Sequence, residues 1–148
     1  MSSEFAPLRN DEIRTFAVDW YRKLDVHAPF EELVTMVAPT GLEMQFPEGT
    51  MRGIEDFKHW YETVTHRFFD EVHTVKAVES SIGEQRATVK VVVNWQAKIW
   101  DPPAPNSVWL GFDAYQTWVV ERSTSTGQLM ICRYVVDRLD PMEGSANL

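Results

Sequence analysis

"IEDFKHWYETVTHRFFDEVHTVKAV", residues 54–78, changes its periodicity partway along, and that change sets the fold class. Before Asp70, Phe57, Trp60, Tyr61, Val64 and Phe68 recur every three or four positions, which puts them on one stripe of a helix that follows Gly53. From Asp70 onward, four segments rich in β-branched and aromatic residues follow, near 71–81, 86–100, 108–122 and 128–139. Gly83-Glu84, the run "DPPAPNS" and the run "STSTG" separate them. Connections this short predict an antiparallel meander, because parallel neighbours need crossover helices.

Working back toward the N-terminus, Asn10 or Asp11 can cap a first helix over 11–24, with Ile13, Phe16, Ala17, Trp20, Tyr21 and Leu24 at helical spacing. Pro29 opens a short second helix through Phe30, Leu33, Val34 and Val37 that stops before Pro39. The alternation Leu42, Met44, Phe46 marks a strand ended by "PEG". Helices first and a long sheet afterwards is an α+β layout with the helices on one sheet face. Segment 88–100 alternates cleanly, whereas 108–120 carries bulk on both phases: Val108, Leu110, Phe112, Ala114, Trp118 and Val120 against Trp109, Tyr115 and Val119. A strand apolar on both faces needs cover twice. This predicts a homodimer packed through the outer sheet face.

The chain has 148 residues, enough for one domain, and its 44% hydrophobic and 24% charged residues are those of a globular protein. Aromatic residues, 12% of the chain, exceed what such a core needs, which points to a pocket or an interface. A net charge of -8 would repel a phosphate backbone, so nucleic acid is excluded as a partner. Cys132, the sole cysteine, sits in an apolar run and is expected to be inert; it permits neither an intramolecular disulfide nor a thiolate zinc site. No apolar run approaches membrane-spanning length and "MSSEFAPLRN" lacks a secretory pattern, so a cytoplasmic protein is expected.

Two N-terminal helices, a strand ending in "EMQFPEGTMRGIEDFKHWYE", a long helix, and four long strands closing with "GQLMICRYVVDRLD" together resemble the nuclear transport factor 2-like superfamily. Within it, the pattern is most similar to SnoaL-like polyketide cyclases. The resemblance covers about residues 8–140 and implies a single domain over 1–148 with 141–148 as a flexible tail. It also implies a cystatin-like cone, with helices packed in the concave face of a curved, mainly antiparallel sheet. Such a cone holds a mostly apolar pocket suited to a small hydrophobic molecule and needs no cofactor. The superfamily contains isomerases, cyclases, dehydratases, hydrolases and proteins that only bind, so the fold alone selects no reaction.

Candidate site residues follow from residue type and from the resemblance. Asp137 matches in position the acid/base aspartate near the end of the last strand of SnoaL-like cyclases; the alternative is a pair with Arg133 or Arg138 at the sheet rim. Asp113 interrupts an apolar strand and is either a pocket acid or a partner for a neighbouring Lys or Arg. Asp19 lies on the first helix, where scytalone dehydratases of the same superfamily use Asp and Tyr; it can equally be exposed helix surface. His73 and His66 are possible proton shuttles or edge hydrogen-bonders, while His59 reads as surface and His27 as part of a turn. Trp60, Trp95, Trp118, Tyr115 and Tyr134 are the bulky groups available to line the cavity or fill the core. No metal is expected, because no histidine pair has ligand spacing with a carboxylate. Ketosteroid isomerases of this superfamily carry their base on the first strand before a proline, where this chain has Phe46, so that mechanism does not carry over. Two functions remain: a cofactor-free cyclase, isomerase or dehydratase using Asp137 with help from His73 or Asp113, or a non-catalytic binding or dimerisation module.

Overall fold

The computed structural model describes residues 6–148. Its elements, in chain order, are α1 (Asn10–Asp25), α2 (Phe30–Val34), β1 (Glu43–Phe46), β2 (Gly49–Arg52), α3 (Gly53–Arg67), β3 (Phe69–Ile82), β4 (Arg86–Ile99), β5 (Val108–Arg122) and β6 (Leu129–Pro141). The helices and the four long strands form where periodicity predicts them. Two features differ. The strand ends at the "PEG" turn as expected, but the chain then folds back as β2 to make a β1–β2 hairpin, and β1 runs parallel to β6 in an otherwise antiparallel sheet. Gly53 takes φ 81 to swing the chain from β2 into α3, a conformation that costs other residues strain.

One six-stranded sheet has the order β2-β1-β6-β5-β4-β3. The helices pack against one face, as the α+β layout requires. Ile13, Ala17, Trp20, Tyr21 and Leu24 of α1 and Phe57 and Tyr61 of α3 meet the inward phase of the long strands, Val89, Val91 and Val93 of β4 and Ala114, Trp118 and Val120 of β5. Trp20 stacks on Phe57 at 6.0 Å and meets Trp118 edge-on at 6.4 Å, while Trp118 stacks on Tyr134 at 5.2 Å. Burial of each such ring contributes on the order of 2–3 kcal/mol. An ion pair between Arg122 and Glu12, at 2.6 Å, ties the start of α1 to the end of β5.

The outward phase of β5 is covered in part by the chain itself. The guanidinium of Arg138 lies 4.0 Å over the Tyr115 ring. Residues 142–146 continue along β5 beyond the end of β6. Met142 N–H donates to Gly111 O at 2.9 Å, Ala146 N–H to Trp109 O at 3.1 Å, and Gly111 N–H to Ser145 Oγ at 2.9 Å. These bonds satisfy strand groups that β6 leaves open. The domain expected over 1–148 includes residues 1–5, which lie outside the described residues. Cys132 is half-buried, and burial, with Glu121 nearby, pushes its thiol up to about 11. Among the described residues no helix is long and apolar enough to cross a membrane.

Candidate active site

Asp25 closes α1, where the helix dipole disfavours a negative charge. The compensation comes from β3. His73 donates its backbone N–H to Asp25 Oδ2 at 3.0 Å, and its ring Nδ1 lies 2.6 Å from Asp25 Oδ1. With Asp25 ionised this bond places a proton on Nδ1 and leaves Nε2 as the basic nitrogen, without a partner among the described residues. The imidazole is held between Tyr21, stacked at 4.8 Å, and Trp95, at 6.1 Å and 17°. Its side chain is 9% exposed.

A second cluster of polar groups adjoins this ring. Gln116, the one buried polar residue of the described core, receives at Oε1 the Tyr21 hydroxyl at 2.8 Å and the Trp118 indole N–H at 2.9 Å. The hydroxyls of Tyr21 and Tyr134 are 3.3 Å apart. Burial raises both phenols above their ordinary value, and for Tyr21 the neighbouring Tyr134 adds to the effect. Both therefore stay protonated and can act as hydrogen-bond donors. With Oε1 doubly occupied, the Gln116 amide N–H groups are the donors this side chain has left, beside the Tyr134 hydroxyl.

Glu71 lies two residues before His73 on the same concave face. Its carboxylate is 2.6 Å from His27 Nε2 and accepts the Trp95 indole N–H at 3.0 Å. Tyr61 donates to Ala28 O at 2.5 Å, and burial, then the charges of Glu71 and Glu32, push its phenol up to about 12. These groups line a recess of about 100 Å³ whose walls are otherwise apolar, formed by Phe46, Trp60, Val64, Phe68, Val93 and Val136 among others. Trp60 stacks on Phe46 at 4.0 Å. Among the described residues the lining contains Glu48, Glu71 and His73 but neither Lys nor Arg.

Of the residues expected from sequence, His73, Trp60, Trp95 and Tyr134 line this recess. Trp118 is fully buried beneath Tyr134 and fills core. Asp137 does not reach the recess, and its expected place there is corrected by register. Tyr134 takes the inward phase of β6, so Asp137, three positions on, projects from the opposite face, where Thr117 Oγ1 donates to it at 2.7 Å. Asp113 and Tyr115 share that outer face; Asp113 accepts Asn94 Nδ2 at 3.1 Å and lies 3.5 Å from Lys76 Nζ. Asp19 pairs with Arg22 and with Lys23, at 3.2 Å to the latter, on the far side of α1. Burial opposes ionisation of Asp19, but the two cations outweigh it and hold its carboxyl below the usual range. His66 is exposed and bonds to its own helix at Glu62 O.

Sequence reasoning missed Asp25, Tyr21, Gln116, Glu71 and His27 as site residues. An acid closing a helix against its dipole was a legible signal for Asp25. So was the i, i+2 spacing of Glu71 and His73 on a strand with one covered face. Nothing in sequence joins Asp25 to a histidine 48 residues away.

No family model and no curated protein sequence matches the chain. Solved structures do. A protein of unknown function with a cystatin-like fold from Nostoc punctiforme PCC 73102 is 15% identical with a TM-score of 0.68, covering 100% of each chain. A scytalone dehydratase-like protein from Novosphingobium aromaticivorans DSM 12444 is 19% identical with a TM-score of 0.71, over 93% of this chain and 87% of that one. The hexachlorocyclohexane dehydrochlorinase LinA-type3 from Novosphingobium barchaimii LL02 is 15% identical with a TM-score of 0.72, over 93% of this chain and 92% of that one. The chain therefore has a cystatin-like α+β fold. At these identities the likeness is one of fold.

Proposed function

We propose that this protein is a cofactor-free lyase or isomerase that removes a proton beside the carbonyl of a small hydrophobic substrate. His73 is the base, through Nε2, and Asp25 orients its ring and stabilises the imidazolium that forms. The Tyr134 hydroxyl and the Gln116 amide donate to the carbonyl oxygen as negative charge develops on it, in surroundings where such bonds are strong. The observation that carries this function is the Asp25–His73 pair, at 2.6 Å, on the wall of an apolar recess. That similar folds include a dehydrochlorinase and a dehydratase-like protein supports elimination chemistry.

The test is exchange of the α-protons of cyclohexanone in D2O, followed by NMR. His73→Ala should lower the enzyme-dependent exchange by about 10²-fold or more, the usual weight of a general base. Exchange at the wild-type rate in that variant would remove His73 from the chemistry; wild-type protein that binds cyclohexanone without exchanging it would be a binding module. The same proposal takes residues 1–148 as one cytoplasmic domain, paired as a homodimer through the outer sheet face. Exposed Val72 on the outer phase of β3 supports the dimer, and sedimentation velocity tests it.

A further inference from the structure

The recess holds a second histidine–carboxylate pair, and it is the reverse of the first. Asp25 of α1 meets His73 of β3; Glu71 of β3 meets His27, two residues beyond Asp25. His27 reaches across because its backbone sits at φ 50, a left-handed conformation that is uncommon outside glycine. Glu71, rather than His27, lines the recess, its side chain 9% exposed. A buried carboxylate with this much apolar surface around it is retained at a cost unless it is paired, and here both its oxygens are engaged.

We propose that Glu71, in proton exchange with His27, is the general acid of the site, so that the group eliminated is a hydroxyl that departs as water. This rests on His73 acting as the base. A halide or carboxylate leaving group departs as an anion and needs a cationic partner, and among the described residues no Lys or Arg lines the recess. A hydroxyl needs a proton instead. The tyrosines cannot supply it readily, since burial holds the phenols of Tyr21, Tyr61 and Tyr134 above their ordinary value. The step balances within the site. His73 Nε2 takes the α-proton, the C–H pair becomes the new double bond, and the β C–O bond breaks toward oxygen. That oxygen takes the Glu71 carboxyl proton and leaves as water; His27, whose side chain is 30% exposed, takes a proton from solvent and passes it to Glu71, and His73 releases its own to solvent.

The experiment compares 3-hydroxycyclohexanone with 3-chlorocyclohexanone, each corrected for its uncatalysed rate and followed as cyclohexenone, with cyclohexanone α-proton exchange as the control. Glu71→Gln preserves size and the acceptor for Trp95. It should cut loss of water by about 10²-fold, at least tenfold more than it cuts exchange or loss of chloride. His27→Gln should depress loss of water more than the other two rates, and Glu71→Asp should recover part of it. Equal water loss in Glu71→Gln and wild type, with exchange still dependent on His73, overturns the assignment of Glu71 and leaves His73 standing. A parallel fall in all three rates assigns Glu71 a structural role, which overturns the proposal too. Wild-type protein that catalyses neither exchange nor elimination sinks both.

Discussion

Asp25 is held by His73 twice, once through the backbone N–H at 3.0 Å and once through ring Nδ1 at 2.6 Å. The first bond fixes where β3 crosses the end of α1, and the second fixes which ring nitrogen is basic. Structural and chemical roles thus coincide in one carboxylate. Asp25→Asn keeps an acceptor for the backbone bond, so the fold should persist by circular dichroism. Its side chain can stabilise no imidazolium, and exchange of cyclohexanone α-protons should fall by roughly 10²–10⁴-fold. Retention of more than a tenth of the wild-type rate would contradict the orienting role.

Asp137 should be dispensable. It is exposed on the outer face and bonded to Thr117, so Asp137→Asn should change stability by no more than about 0.5 kcal/mol. Catalytic rates should match wild type. A large loss of activity would return Asp137 to the mechanism.

Gly111 is the tightest point beneath the tail. A Cβ there would lie 2.6 Å from the Trp109 ring and 2.7 Å from the Met142 sulfur. Gly111→Ala must therefore displace Trp109 or lift Met142, at a cost on the order of 1–3 kcal/mol. Thermal unfolding should show the lower stability, and limited proteolysis should cut after residue 141 faster than in wild type. Unchanged stability and cutting would mean that the tail is not held at Gly111.

Alkaline stability should report on Tyr61. Its phenol is raised from 10.0 to about 12, so between those values the folded state keeps a proton that the unfolded chain loses. Stability is complete below pH 10 and falls as pH rises from there toward about 12. Tyr61→Phe removes this dependence along with the bond to Ala28, giving a lower but flatter stability curve over that window. An equally steep decline in the variant would assign the alkaline loss to other groups, Tyr21 and Tyr134 first.

The fold was legible because its signals are local. The helical stripe Phe57–Phe68 and the strand alternation from Val89 to Ile99 each state a period and an inward face without reference to anything distant. The β1–β2 hairpin escaped notice because Gly49–Arg52 is too short and too exposed to alternate visibly. The site was legible only in part. His73, Trp60, Trp95 and Tyr134 could be picked out as chemical or bulky groups, but their partners could not.

Sequence alone therefore settled the class, α+β with helices on one sheet face, since periodicity and turn chemistry act over a few residues. Only the tertiary structure decided which acids face inward. A strand's side chains alternate except where a bulge adds a residue, as at Asp137 between Val136 and Arg138, so one position of register separates a catalytic carboxylate from a solvated one. That register, set by the packing of β6 and β5, turned Asp137 and Asp113 out, while the crossing of α1 with β3 brought Asp25 and Glu71 in.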